Sequence, residues 1–140
     1  MDGAPTGPVE VLVVDDQARF RTVARAVVER TQGFHMFGDV ADGAQALAVI
    51  EAAAAAATPN VPGLVLMDIH MPVLDGIEAT RRLVARWPGV VVVLLSSYAA
   101  DDLPDDVLGC GAAGYLHKEE LSPTGLRDLW QDLDQPERST

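Results

Sequence analysis

One cysteine, ten basic side chains and very few aromatic rings set the first limits on this chain. Cys110 stands alone, so no internal disulfide can form and nothing demands an oxidising compartment; a cytoplasmic home fits. It lies in Leu-Gly-Cys-Gly-Ala-Ala-Gly with neither a base nor a second thiol nearby, the setting of a small buried hydrophobe rather than of a reactive thiol. Ten Lys and Arg against 21 Asp and Glu leave a formal charge of −11. That balance excludes the clustered cationic surface on which direct nucleic-acid binding depends. No apolar run approaches the length of a membrane span, so no membrane contact is expected. Residues 1–8 carry neither a basic stretch nor an apolar one, and are expected to form a flexible N-terminus rather than a signal peptide. With only 5% aromatic residues, Val, Leu and Ala must fill the interior of what length predicts to be one domain over residues 9–133.

What is present is an alternation of short apolar runs and helix-period segments. Val9-Glu10-Val11-Leu12-Val13-Val14 reads as a buried strand. Phe20, Val23, Ala24, Val27 and Val28 then recur on one helical face. Residues 34–40 read as a weaker strand broken by Gly38, and residues 44–57 as a helix ending in six alanines. Thr58 to Gly63, with two prolines, leads into the strand of residues 64–68. A helix over residues 76–87 stops at Pro88-Gly89, and residues 90–95 are six consecutive β-branched or leucine positions, the plainest strand signal of all. Pro104 and Gly109 predict that the fourth helix, within residues 101–110, is the least regular one. Gly114-Tyr115-Leu116-His117 is the fifth strand. Ser122-Pro123 supplies a cap and a first-turn proline for the last helix, whose stripe is Leu126, Leu129, Trp130 and Leu133. Residues 134–140 read as a polar tail or the start of a linker. Five strands alternating with helices, each strand apolar on both faces, predict an α/β fold: a doubly wound parallel sheet with helices on both sides.

In such a sheet the site lies beyond the carboxyl ends of the strands. The residues at those ends are Asp15, Asp16, Asp68, Ser96 and Lys118. Two carboxylates about 5 Å apart repel by roughly 3 kcal/mol at an effective dielectric near 20. A third strains the set further and raises carboxyl pKa values. A hard divalent cation relieves that strain, and Mg²⁺ in particular favours a few carboxylates together with phosphate oxygens and water. An adjacent lysine adds a compact positive charge. The constellation suits a cation and a transferring phosphoryl group, with Asp68 as the nucleophile. Taken singly, Asp15-Asp16 would be capping acids for the helix that follows, and Ser96 an ordinary strand-end hydroxyl. Asp75-Gly76 reads as a turn and helix start, His35 as an ordinary strand residue, and Trp87 and Trp130 as packing residues at helix ends.

Four elements in order, Leu-Val-Val-Asp15-Asp16, Val-Leu-Met-Asp68-Ile-His-Met-Pro-Val-Leu-Asp-Gly76, Leu-Leu-Ser96-Ser97 and Gly111-Ala-Ala-Gly-Tyr115-Leu-His-Lys118, resemble those of a two-component response-regulator receiver domain, of the CheY-like superfamily. The stretch after Lys118, Glu-Glu-Leu-Ser-Pro-Thr-Gly-Leu, lacks the proline that often follows this lysine and resembles the NarL/FixJ subgroup, whose receivers precede LuxR-type DNA-binding domains. The resemblance implies a flavodoxin-like strand order 2-1-3-4-5. It implies phosphorylation of Asp68 by a sensor histidine kinase or a small phosphodonor. It further implies Mg²⁺ held by Asp15, Asp16, Asp68 and the backbone carbonyl of His70, with Asp15 acting mainly through water. Ser96 would be the switch hydroxyl, Lys118 the partner of the phosphoryl oxygens, and Tyr115 the aromatic that rotates inward, although on the residues alone Tyr115 reads equally as a static core aromatic. Output would pass through a downstream protein or a C-terminal DNA-binding domain absent from this chain, with homodimerisation on phosphorylation as one route. His70 and Tyr98, two positions after the acceptor and the switch hydroxyl, would flank the path of the hydrolytic water and lengthen the life of the phosphorylated state.

Two other functions stay open on the residues alone. An aspartyl-phosphate phosphatase of the haloacid-dehalogenase type needs a second Asp two residues after the nucleophile, where this chain has His70. A phosphorylation-independent interaction module on the same fold would be expected to have lost one of the five acid, hydroxyl and lysine groups, and here all are kept. Autonomous enzyme activity beyond the domain's own phosphotransfer and autodephosphorylation is not expected.

Overall fold

The computed structural model describes residues 7–97 and 109–133. Five parallel strands, β1 (Val9–Val14), β2 (Phe34–Val40), β3 (Leu64–Asp68), β4 (Val91–Ser96) and β5 (Gly114–His117), form one sheet in the order β2-β1-β3-β4-β5. The helices among the described residues are α1 (Ala18–Arg30), α2 (Gly43–Ala55), α3 (Gly76–Arg86) and α4 (Pro123–Leu133). The expected helix within residues 101–110 falls largely outside the described residues, as does Tyr98.

Side chains alternate across each strand and divide the interior in two. Leu12, Val14, Val65, Met67, Val92 and Leu94 meet Ala46 and Ile50 of α2 and Ile77, Ala79 and Leu83 of α3. Val11, Val13, Leu64, Leu66, Val93 and Leu95 meet Ala24 and Val28 of α1 and Leu126 of α4. Burial on both faces is why these strands read as unbroken apolar runs. Phe34 and Trp130 close the second layer with ring centroids 6.1 Å apart and nearly perpendicular planes.

Local chemistry sets the helix ends. Asp42 and Asp75 cap α2 and α3 by accepting from the amides of Gln45 (2.8 Å) and Glu78 (2.9 Å), and Ser122 caps α4 by accepting from Gly125 at 3.0 Å. Asp75-Gly76 is thus a turn and helix start, as expected. Two details differ from expectation. The alanine helix ends at Ala55 rather than residue 57, because Ala56 turns extended ahead of Thr58-Pro59. β2 carries a bulge: Met36 pairs with Val11 but Gly38 with Leu12, so Phe37 is one residue too many for its partner strand.

Candidate functional site

The strand order places the carboxyl ends of β1 and β3 side by side, with β4 and β5 next. Asp15 and Asp16 follow β1, Asp68 ends β3, Ser96 ends β4 and Lys118 follows β5. Carboxylate oxygens of Asp15, Asp16 and Asp68 all lie within 4.8 Å of one another. Lys118 Nζ sits 2.6 Å from Asp15 Oδ2 and 3.6 Å from Asp68 Oδ1. The ammonium also lies 4.7 Å from the centre of the Phe20 ring, which gives it a third favourable contact. An open cleft of about 250 Å³ above these groups is lined by Asp16, Gln17, Asp68, His70, Ser97 and Lys118.

The acids differ in their surroundings. Asp15 is fully buried, and its Oδ1 accepts the Gln17 amide at 2.8 Å. Its Oδ2 has no hydrogen bond of good geometry among the described residues beyond the close ion pair with Lys118. Asp16 is exposed to the cleft. Burial pushes the Asp68 carboxyl up to about 6, and the charge of Asp15 adds to this, while Lys118 pulls the other way and Asp16 raises it again. Three carboxylates against one ammonium, with a buried acceptor oxygen lacking a well-directed donor, fit a hard divalent cation bound through oxygen.

The chain reaches this geometry through one tight approach. A Cβ on Gly76 would lie 2.0 Å from the carbonyl oxygen of Asp68, and the Gly76 amide donates to Ile69 O at 2.8 Å. Only glycine lets the start of α3 press against the β3 tip. Between them, Leu74 N–H donates to Pro72 O at 2.8 Å, closing a three-residue turn around Val73 at φ 70°. This turn is strained for a β-branched residue and faces solvent.

His70 is exposed on the rim of the cleft. Ser96 is buried at the end of β4, with its neighbour Ser97 lining the cleft. Tyr115 is half-buried on β5 against the layer that holds α2 and α3. His35 lies on β2 and pairs with Glu10 across the strands at 3.1 Å. Sequence reasoning missed four supporting residues. Arg21 donates to Asp15 O at 2.7 Å and to Asp39 Oδ2 at 3.1 Å, while Arg25 holds the other Asp39 oxygen at 2.9 Å. Phe20 lies against Lys118, and His117 bonds across the β4 and β5 tips. Arg21 and His117 work through backbone carbonyls, which leave no mark in residue type.

Comparison with known proteins agrees with this architecture. The family model described as "Response regulator receiver domain" matches residues 11–129. The transcriptional regulatory protein DegU of Brevibacillus brevis is 34% identical over 111 residues, covering 79% of this chain and 44% of that protein. The response regulator GacA of Pseudomonas protegens is 36% identical over 125 residues, covering 89% of this chain and 54% of that protein. The chain thus spans about half the length of such curated relatives. Among solved structures, the signal receiver domain of the response regulator NarL from Mycobacterium tuberculosis superposes with a TM-score of 0.77 at 26% identity, covering 91% of this chain and 98% of that one. The fold, the strand-tip acids and these matches together establish that the chain belongs to the response regulator receiver domain family, the phosphorylation-controlled switches of two-component signalling.

Proposed function

We propose that this receiver takes a phosphoryl group on Asp68, with Mg²⁺ bound, from a sensor histidine kinase or a small phosphodonor, and relays the change to an output partner. The observation that carries this reading is the acid triad with Lys118 2.6 Å from Asp15 and 3.6 Å from Asp68, at the mouth of one cleft. An Asp68 oxygen attacks the phosphorus in line. The new O–P bond forms as the donor's P–N or P–O bond breaks, and the leaving group keeps the bonding pair: a histidine imidazole takes up a proton, whereas acetate departs as the anion. Asp15, Asp16, Asp68 and the backbone carbonyl of His70 are the residues to hold Mg²⁺. When bound, the ion supplies charge neutralisation and orientation for the phosphoryl oxygens. Lys118 contributes a second positive charge, already directed at the cluster by its pairing with Asp15.

The same site carries the signal. A phosphoryl group on Asp68 brings new acceptor oxygens to the mouth of the cleft. Ser96, at the end of the strand next to β3, is the hydroxyl to answer it, and Tyr115, paired with Leu94 on the neighbouring strand, is the aromatic to follow. Output through a DNA-binding domain or a separate protein is the reading supported by relatives such as the transcriptional regulatory protein DegU, with phosphorylation-dependent pairing of two copies as one route. Incubation with acetyl phosphate and Mg²⁺ should add one phosphoryl group by intact mass. Chelator should abolish the gain, and so should Asp68→Asn; full labelling of the Asn variant would remove Asp68 as acceptor.

A further inference from the structure

His117 closes β5 and sits in register with Ser96 at the end of β4. Its ring reaches both ways. Nε2 lies 3.2 Å from the carbonyl oxygen of Ser97, the cleft residue just past β4, and Nδ1 accepts the amide of Glu119 at 3.1 Å. Its own amide donates to Glu120 Oε1 at 3.1 Å, which completes a reciprocal cap on the 3-10 turn Lys118–Glu120. The partners fix the tautomer: a carbonyl requires a donor and an amide requires an acceptor, so the neutral ring with its proton on Nε2 satisfies both. The first residue of the capped turn is Lys118. One side chain therefore ties together the β4 tip, which carries Ser96 and Ser97, and the turn that aims the ammonium at Asp15 and Asp68.

We propose that His117 is a positioning residue for phosphoryl transfer: a clasp between the ends of β4 and β5 that holds Lys118 in place over Asp68. This rests on the reading of Asp68 as the acceptor. A lysine has a long, mobile stem, so the placement of its charge depends on how firmly its backbone is held. Misplacement by about 1 Å can cost on the order of a hundredfold in rate. The ring bonds of His117 go to exposed backbone groups that water can satisfy, so the clasp governs position far more than stability.

Two substitutions separate its halves. His117→Phe keeps the ring volume and removes both ring bonds. His117→Asn keeps an acceptor for the Glu119 amide but is too short to reach Ser97. Phosphorylation by acetyl phosphate at saturating Mg²⁺ should slow roughly tenfold in His117→Phe and less in His117→Asn. The Mg²⁺ dissociation constant by calorimetry should stay within about twofold, since the acids are untouched. A second readout does not depend on phosphorylation. Lys118 is the single lysine of the chain. Its labelling by an amine-specific reagent, separated from the α-amine by peptide mapping, should rise several-fold in His117→Phe as the ammonium leaves its partners. A wild-type labelling rate in His117→Phe would overturn the clasp, and so would a wild-type phosphorylation rate. If the wild-type protein takes no phosphate yet its lysine labelling responds to His117→Phe, the acceptor reading fails and the clasp stands.

Discussion

Asp68 shows how burying one side chain beside like charges costs stability. Its carboxyl is held up at about 6, against an ordinary value of 3.8, first by burial and then by the charge of Asp15. In the unfolded chain the group ionises near pH 4, whereas the folded protein keeps the proton until about pH 6. Below pH 4 both states are protonated and nothing is lost. Between these values the folded state binds more protons, so this contribution to stability falls as pH rises, and above pH 6 the full cost of about 3 kcal/mol is present. Asp68→Asn removes the ionisation. In chelator at pH 7.5 the Asn protein should resist urea better than wild type by about 1–3 kcal/mol, part of the gain being lost with the Lys118 ion pair. Near pH 4 that advantage should disappear; an equal advantage at both pH values would show that ionisation is not its source. Asp15 and Asp16 differ in the same physical terms. Buried Asp15 gives Oδ1 to the Gln17 amide and holds Oδ2 in the ion pair with Lys118 without a directed hydrogen bond, whereas Asp16 is open to the cleft. Asp16→Ala should therefore weaken Mg²⁺ binding more than Asp15→Ala, by calorimetry. Equal or reversed losses would contradict that division.

α3 and α4 begin where a capping side chain dictates, and those starts were legible in the sequence. Asp75 and Ser122-Pro123 announce α3 and α4 because capping depends on residue type at one position. β1, β3 and β4 were legible because burial on both faces demands unbroken apolar runs, and the candidate site residues were found by reading which residues stand at the strand ends. The β2 bulge at Phe37 was not legible, since Gly38 signals irregularity without saying which strand gains the extra residue. Nor were Arg21 and His117, whose work goes through the carbonyls of Asp15 and Ser97. At this scale Asp75→Ala should cost about 1 kcal/mol, because the Glu78 amide loses its acceptor where α3 meets the acceptor loop. Urea unfolding checks it: the midpoint should drop while the slope stays constant, and an unchanged midpoint would mean that water replaces the cap without loss.

For the molecule as a whole, the sheet is a device for gathering charges of one sign and then relieving them. A chain of net charge −11 buries Asp15 and Asp68 at neighbouring strand tips and leaves them one ammonium. Such a site is costly without a cation, and two tight contacts flank it: Gly76 against the Asp68 carbonyl, and Arg21, which bonds both Asp39 and the Asp15 carbonyl. The account therefore stands or falls on where phosphate goes. After incubation with acetyl phosphate and Mg²⁺, borohydride reduction converts an aspartyl phosphate to homoserine, and peptide mass spectrometry locates the altered residue. If Asp68 is the acceptor, homoserine forms at position 68 alone, and none forms when chelator is present during phosphorylation. Homoserine at another aspartate, or its appearance at position 68 regardless of chelator, would contradict it.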